Sequence, residues 1–321
     1  MQKLLLLPLL MLCYGIYGQG FLAKESGIFP PQQKRVILYE NKNSQKLILF
    51  RTNLQVNTDG VPTSYHPFDL RGTTKAMNTI LNAAAIYRLS DKVKISIPPA
   101  KYSKEERAKM TAEAYRVFEQ WRDGGYSSKH PDGYEIRWQN VLIAKGGKPC
   151  IIQKGEYAGY FASATSLKNN LSNKGECECD DQVNPLKVPT LVLVGGKSNV
   201  LKDFGAKVGD LLVAYNTYNK KLVYAIISDT GPEHNLGEGS VILNMKLLAK
   251  TQFPRTRADT YGLATSNNPM ICIIPASRGY KPQKPYSQEN IRSRIAEWFA
   301  AQSMSEEKDI VKFLEQNKGQ F

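Results

Sequence analysis

The sequence predicts an α+β protein that is mainly β, with a β-barrel-like core and peripheral helices. From Tyr134 onward, short aliphatic and β-branched runs alternate with turn-forming segments such as GGK, YNKK and GPEHNLG. The runs LVYAII and LVLV are apolar at both parities. Both faces of the sheet should therefore be covered, either by closure into a small barrel or by helices packed on it.

Ten segments have the composition of strands: RVILY, QKLILF, EIRWQNVLIA, PCIIQ, GYFASATSL, PTLVLVGG, GDLLVAYN, KLVYAIIS, SVILNM and MICIIPAS. Four segments have helical spacing. Residues 73–87 place Met77, Ile80, Leu81 and Ala84 on one face. The others are 101–125, SQENIRSRIAEWFAAQ and SEEKDIVKFLEQN. In 101–125, Ser103 and Glu106 form a capping box, and Gly124–Gly125 ends the helix.

The N-terminus has the pattern of a secretory signal, with one Lys before a short apolar run and Gly18 at a cleavage position. We expect residues 1–18 to be a signal peptide, 19–50 an N-terminal extension, and 51–321 a single catalytic domain with a helical insertion at about 101–125. No later segment is apolar for long enough to be a transmembrane segment. The protein is therefore expected to be secreted or periplasmic.

Cleavage would leave Cys150, Cys177, Cys179 and Cys272. An even number of cysteines in an exported chain permits disulfides, with three possible connectivities. The CECDD segment lacks other Cys or His at zinc-ligand spacing, so no metal is expected. Cys272, within MICII, has the context of a buried thiol or one half of a disulfide.

The formal net charge of +14 would suit an anionic partner, but the positive charge is scattered. Between Glu176 and Ser240, nine acids exceed six Lys. The basic residues form no stripe interleaved with aromatics, as single-stranded nucleic-acid binding requires, so nucleic acid is not expected as a partner. A solvated basic surface accounts for most of the charge.

Two acids bracket the segment IISDTGPEHNLGEGSVILNM: Asp229 closes one apolar run and Glu238 opens the next. If the two runs were paired strands of a hairpin, ~5 Å apart, both carboxylates would lie on one rim. Glycosidic bond cleavage needs one protonated and one ionised carboxyl. Acids that flank a turn are more often solvated or capping residues, so spacing alone does not establish a catalytic pair.

The segment SDTGPEHNLGEGS also resembles the active-site segment of the chitosanases of glycoside hydrolase family 75. Further similarities follow in the family's order: NTDGVPTSYHP, GYFASATSL, VPTLVLVGG and VGDLLVAYNTYNKKLVYAI. The resemblance covers most of residues 57–246. It implies an inverting hydrolysis that needs no cofactor, and its motif style is similar to that of the double-psi β-barrels. The chain departs from the family in its shorter loop between the acids, its helical insertion, and VGG in place of Pro-Gly.

By this resemblance Asp229 and Glu238 are the catalytic carboxylates. The longer arm of Glu238 favours it as general acid, with Asp229 as the base that orients water. Further polar and aromatic residues of the similar segments are candidates for substrate binding, although turn formation, core packing or ordinary strand composition would also explain them. They are Asp59, Tyr65, Tyr160, Ser163, Thr165 and His234.

The expected substrate is a β-1,4-linked glucosamine-containing polysaccharide such as chitosan. A basic protein repels a polycation at long range, but salt screens this repulsion within ~8 Å. The acidic balance of residues 176–240 gives that region the opposite sign. Two alternatives stay open: a non-catalytic glycan-binding envelope protein on the same scaffold, and a hydrolase of peptidoglycan glycan strands.

Overall fold

The computed structural model describes residues 20–171, 177 and 179–321, so the expected signal peptide at 1–18 lies outside the described residues. The protein is α+β, with 25% helix and 26% strand. The sequence predicted a mainly β protein, whereas helix and strand are present in nearly equal amounts. Its main feature is a mixed nine-stranded sheet. Within the described residues no sheet closes into a barrel, and the prediction of a β-barrel-like core, double-psi or other, is wrong.

The strands of the described residues are β1 (Leu22–Phe29), β2 (Lys34–Glu40), β3 (Lys46–Arg51), β4 (Gln55–Asn57), β5 (Ala84–Arg88), β6 (Val93–Lys94), β7 (Tyr134–Trp138), β8 (Ala144–Lys145), β9 (Lys148–Pro149), β10 (Thr190–Leu193), β11 (Leu211–Asn216), β12 (Lys221–Thr230), β13 (Glu238–Ser240) and β14 (Met270–Ile274). The large sheet has the order β1-β2-β3-β14-β11-β12-β10-β13-β4. Strands β6-β5-β7 and β8-β9 form two smaller sheets.

The helices are α1 (Lys104–Asp123), α2 (Val200–Asp203), α3 (Val241–Leu247), α4 (Arg257–Tyr261), α5 (Gln288–Ala300) and α6 (Glu307–Asn317). Short 3₁₀ turns occupy Pro30–Gln32, Ile80–Asn82, Cys179–Asp181, Ser277–Gly279 and Lys318–Gln320. The predicted capping box of Ser103 and Glu106 is present at the start of α1. The apolar stripes predicted for α1 and α5 are buried.

The sheet is covered on both faces by packed elements instead of by closure. On one face, α5 and α6 bury Ile295, Phe299 and Leu314 against β11 and β14. On the other, residues of α2 and α3 complete a cluster with β2, β3 and β10. A third cluster joins α1 to β5 and β7. Burial of both faces thus explains why these strands are apolar at both odd and even positions. Of the two predicted alternatives, helices packed on the sheet is the one found.

The helix predicted over 73–87 does not form. The carboxylate of Asp69 accepts the backbone N–H groups of Thr73, Thr74, Lys75 and Ala76. Thr79 then caps a single 3₁₀ turn, and the chain continues into β5. Side chains that bond the backbone locally compete with helix formation, which is why the apolar spacing was misleading.

The segment SVILNM was predicted as a strand but forms α3, because Ser240 caps it by accepting the N–H of Leu243. All of its apolar side chains are buried, so the spacing of apolar residues along the sequence could not distinguish a strand from a helix. Similarly, GYFASATSL contributes only isolated bridges, Ile151 to Phe161 and Leu142 to Ser163.

A disulfide joins Cys150 and Cys177, which is in keeping with an oxidising compartment. Cys272 is a free buried thiol. Of the helices in the described ranges, none has the length and apolar character needed to cross a bilayer.

Candidate functional site

Asp229 and Glu238, the two predicted catalytic acids, lie in one row across the sheet, but on strands that do not pair with each other. Val192 of β10 is the register partner of Asp229 on one side and of Glu238 on the other. A register shift lies between Leu191 and Val192 in the pairing with β12, so alternation alone does not place Asp229. The negative charges of Asp229 and Glu238 both act on Asp59, so the two carboxyls face a common region. Two strand spacings, roughly 10 Å, separate their backbones.

The predicted hairpin between β12 and β13 is therefore wrong. Residues 231–237 cross the end of β10 instead of forming a hairpin turn. The N–H of Gly231 donates to Leu193 and that of Gly195 to Pro232, at 2.8 and 3.4 Å. Because β10 lies between the two acids, the gap between them is wider than a hairpin would give.

Glu238 is held by two amide side chains, one on each carboxyl oxygen. Asn57 Nδ2 donates to Oε2 at 3.2 Å, and Asn235 Nδ2 donates to Oε1 at 2.9 Å. An ionised carboxylate only accepts hydrogen bonds, whereas a carboxylic acid would place its own O–H against one of these donors. The two amides therefore fix the orientation of the Glu238 carboxyl group.

Asp229 has a different environment. Its Oδ1 accepts from the hydroxyl of Ser166, from the N–H of Ser166 at 3.3 Å and from the N–H of Thr230 at 2.8 Å. Burial raises the pKa of Asp229, and these hydrogen bonds and the positive charge of Lys168 act in the opposite direction. Since the three donors converge on Oδ1, a proton is best accommodated on Oδ2.

Asp59 is a third carboxyl of the site. It is half-buried in the turn after β4, and its backbone N–H donates to Asn57 Oδ1 at 2.6 Å. The pKa of Asp59 is raised to about 7, chiefly by burial; the hydrogen bond from Tyr65 lowers it, and the negative charges of Asp229 and Glu238 add to the rise. Asp59 thus lies close enough to the two predicted acids to form one electrostatic unit with them.

Tyr65 supports Asp59 from within the protein. Its side chain is 0% exposed, and its hydroxyl donates to Asp59 Oδ1 at 2.8 Å. Asn78 Nδ2 in turn donates to the Tyr65 hydroxyl at 3.2 Å. Tyr65 is thus a support for Asp59, and it offers no ring surface on which a sugar could stack.

Gly231 brings the crossing segment against Glu238. A methyl group added at Gly231 would lie 3.2 Å from Glu238 Oε2 and 2.8 Å from a side-chain carbon of Val192. Only a residue without a Cβ allows this approach, so the glycine of the SDTG motif serves the placement of Glu238 directly.

The remaining predicted substrate-binding residues are placed less directly. Ser163 accepts from the N–H of Gly60 at 2.9 Å, and the buried hydroxyl of Thr165 donates to the carbonyl of Leu167. Ser163 therefore braces the segment that carries Asp59, whereas the Thr165 hydroxyl bonds within its own segment. Tyr160 is half-buried, with its ring 4.9 Å from that of His66. His234 is exposed on the crossing segment.

Two residues of the site were not singled out by the sequence. Asn57 lies in the family-like segment NTDGVPTSYHP, and Asn235 lies in the turn-forming segment GPEHNLG. A single Asn in a loop has no recognisable sequence pattern, so the position of Asn57 and Asn235 near the predicted acids was the one available signal. In the described part of the chain, no three His, Cys, Asp or Glu side chains are grouped as a metal site requires.

A groove of about 810 Å³ lies beside the crossing segment, between β1, residues 195–199 and α2. Glu25, Asp203 and Glu233 line it together with Lys197, so its charge is negative on balance. None of the three site carboxyls is among its lining residues. Glu233 nevertheless links groove and site, because it belongs to the segment that carries Asn235.

Comparison with known proteins finds no family model that matches the chain and no curated protein that matches it. The class of protein must therefore be argued from the site, which is a group of three carboxyls in unlike environments at the end of an open mixed sheet.

Proposed function

We propose that the chain is an exported, endo-acting glycoside hydrolase that cleaves β-1,4 linkages of a glucosamine-containing polysaccharide by inversion. The observation that carries the proposal is the contrast between two carboxyls in one row. Glu238 faces an N–H donor at each oxygen, whereas burial raises the pKa of Asp229. Opposite protonation states in one site are the requirement of glycosidic acid–base catalysis.

The contacts support roles opposite to those expected from arm length. Asp229 is the general acid and delivers its proton to the leaving glycosidic oxygen. Glu238 is the general base, and it takes a proton from a water that attacks the anomeric carbon from the opposite face. Inverting enzymes hold the two carboxyl groups ~6.5–9.5 Å apart to admit this water. The backbones of the two acids lie two strand spacings, roughly 10 Å, apart, and side chains that lean towards each other from there would bring the carboxyl groups into that range.

Asp59 contributes a third carboxyl, whose raised pKa keeps it protonated over much of the acidic range. Its proton limits the negative charge around Asp229 and Glu238. Above that range its ionisation would add a further negative charge to the site. We therefore assign Asp59 to the control of charge within the site, not to proton transfer.

The amino-sugar substrate is supported by local charge. In this scheme Glu238 supplies the negative charge of the site, and Glu25, Asp203 and Glu233 line the neighbouring groove. Protonated glucosamine units carry the complementary charge. The Cys150–Cys177 disulfide and the signal-like N-terminus support action outside the cytosol.

The test is incubation of the purified protein with chitosan oligomers, followed by reducing-end measurement and by NMR of the new anomeric centre. We expect shortened products whose first-formed anomer is α, which is the inverted configuration. A first-formed β anomer would exclude this mechanism. Oligomer binding without product after long incubation would replace the enzyme with a glycan-binding protein. Cleavage of purified cell-wall sacculi alone would identify a peptidoglycan glycan-strand hydrolase.

A further inference from the structure

We propose that Gln32, in the turn between β1 and β2, is a positioning residue that directs the NH₂ group of Asn235 onto Glu238 by fixing the orientation of the Asn235 amide. The inference rests on the proposed role of Glu238 as general base. It gives the N-terminal hairpin a part in the site, although Gln32 and Asn235 are 203 positions apart in the sequence.

The orientation of Gln32 is set by the main chain. Its Oε1 accepts the N–H of Leu236 at 2.6 Å. A backbone N–H can only donate, so the other end of the Gln32 amide must be its NH₂ group. That group donates to Asn235 Oδ1 at 3.3 Å.

The orientation of Asn235 follows from that of Gln32. With Oδ1 occupied by Gln32, Asn235 presents its Nδ2 to Glu238 Oε1 at 2.9 Å. A reversed Asn235 would turn its oxygen towards both Gln55 Oε1 and Glu238 Oε1, and its NH₂ group would meet that of Gln32. The orientation of the Asn235 amide is thus set by Gln32, which lies 203 positions away in the sequence.

The second support of Glu238 is built in the same way from the other side. Asn57 Oδ1 accepts the N–H of Asp59 at 2.6 Å, which directs its Nδ2 to Glu238 Oε2 at 3.2 Å. Each oxygen of Glu238 therefore accepts from an amide whose orientation is set by a backbone N–H group. For Asn57 this is the N–H of Asp59, and for Asn235 it is the N–H of Leu236, acting through Gln32. The Gln32 arm differs in that it joins the site to the edge hairpin of the sheet.

The test is Gln32→Glu, which keeps the size and the acceptor for Leu236 but replaces the NH₂ group with an oxygen. Asn235 then meets a carboxylate oxygen at each end, so it either keeps its own oxygen against residue 32 or reverses and turns that oxygen towards Glu238. We expect the titration midpoint of the Glu238 carboxyl, followed by ¹³C NMR and assigned with Glu238→Gln, to rise by about one pH unit. Turnover below that midpoint should fall about 10-fold for the same reason.

Two comparisons isolate the amide chain from simple charge. Gln33→Glu adds the same charge one position away, where the side chain bonds only to Pro30, and should leave the midpoint unchanged. In an Asn235→Ala background, Gln32→Glu should shift the midpoint by clearly less, because only the direct repulsion between the two carboxylates remains. A shift of the same size there would overturn the proposal, as would an unshifted midpoint in Gln32→Glu alone. The titration needs no hydrolysis, so a protein without glycosidase activity would still decide this question.

Discussion

Val192 pairs with Asp229 on one side and with Glu238 on the other, so a single residue of β10 sets both carboxyls in register. The hydrogen bonds of β10 to both neighbours fix the width of the gap between them. The two acids are therefore placed by the rigid part of the fold, whereas the crossing segment supplies Gly231 and Asn235 around them.

The first prediction concerns the acid pair. Asp229→Asn and Glu238→Gln preserve size and remove the charge or the proton, so each should lower turnover on chitosan oligomers at least about 10²-fold. Circular dichroism should show an unchanged fold. Asp132→Asn, at a side chain that is 94% exposed, is the matched control and should keep full activity. Near-normal turnover by either site variant would remove that residue from catalysis.

The second prediction concerns stability and pH. Folding raises the pKa of Asp59 from 3.8 to about 7, so between these values the folded state binds a proton that the unfolded state has lost. The free energy of unfolding therefore falls as pH rises through this window, and the loss is complete above pH of about 7. Asp59→Asn retains an acceptor for Tyr65 and removes the ionisation.

Urea unfolding at pH 5 and pH 8 measures this effect. At pH 5 the free energy of unfolding of Asp59→Asn should be close to that of the wild type, and at pH 8 it should be clearly higher than that of the wild type. If the difference between the two proteins is the same at both pH values, Asp59 does not ionise across this range in the folded state.

The third prediction concerns the glycine that contacts Glu238. Gly231→Ala places a methyl group 3.2 Å from Glu238 Oε2 and should displace the carboxylate. Small misplacements of reacting groups reduce rates by about 10²-fold, and overpacking costs about 1–3 kcal/mol of stability. Gly279→Ala is the control, since an added Cβ there meets no described atom within 4 Å. Equal kinetics in the two variants would contradict the close approach.

The fourth prediction concerns the disulfide. Cys150 and Cys177 are 27 positions apart, and a crosslink across a loop of that length contributes about 3–4 kcal/mol in the chain-entropy description. Cys150→Ser should lower the free energy of unfolding by this amount in denaturant titrations. A reductant should destabilise the wild type and leave the variant unaffected. An effect of reductant on the variant would point to a different pairing.

The sequence predicted the elements whose local signals agree with their packing. α1, α5 and α6 have capping residues and one apolar stripe, and strands such as β11 and β14 have continuous apolar runs. It failed where local bonds outweigh periodicity, as at Asp69 and Ser240. It also failed on closure of the sheet, because an apolar run at both parities gives no information on whether a helix or another strand covers it.

For the site, the motif identified Asp229 and Glu238 and suggested Asp59, and the structure brings these three together. Their spacing was not predictable, since a seven-residue connection is compatible with a hairpin and with a crossing over β10. The parts played by Asn57, Asn235 and Gln32 depend on which end of an amide meets a backbone N–H. That information exists only in the folded chain.

The crossing segment touches Glu238 without setting its distance from Asp229, and this division has a consequence for protein engineering. Loops of other lengths could be grafted between Thr230 and Glu238 while β10 keeps the spacing of the two acids. Under the proposed function, such grafts would change the pH optimum of turnover, because they would replace the Asn235 amide that faces one oxygen of Glu238.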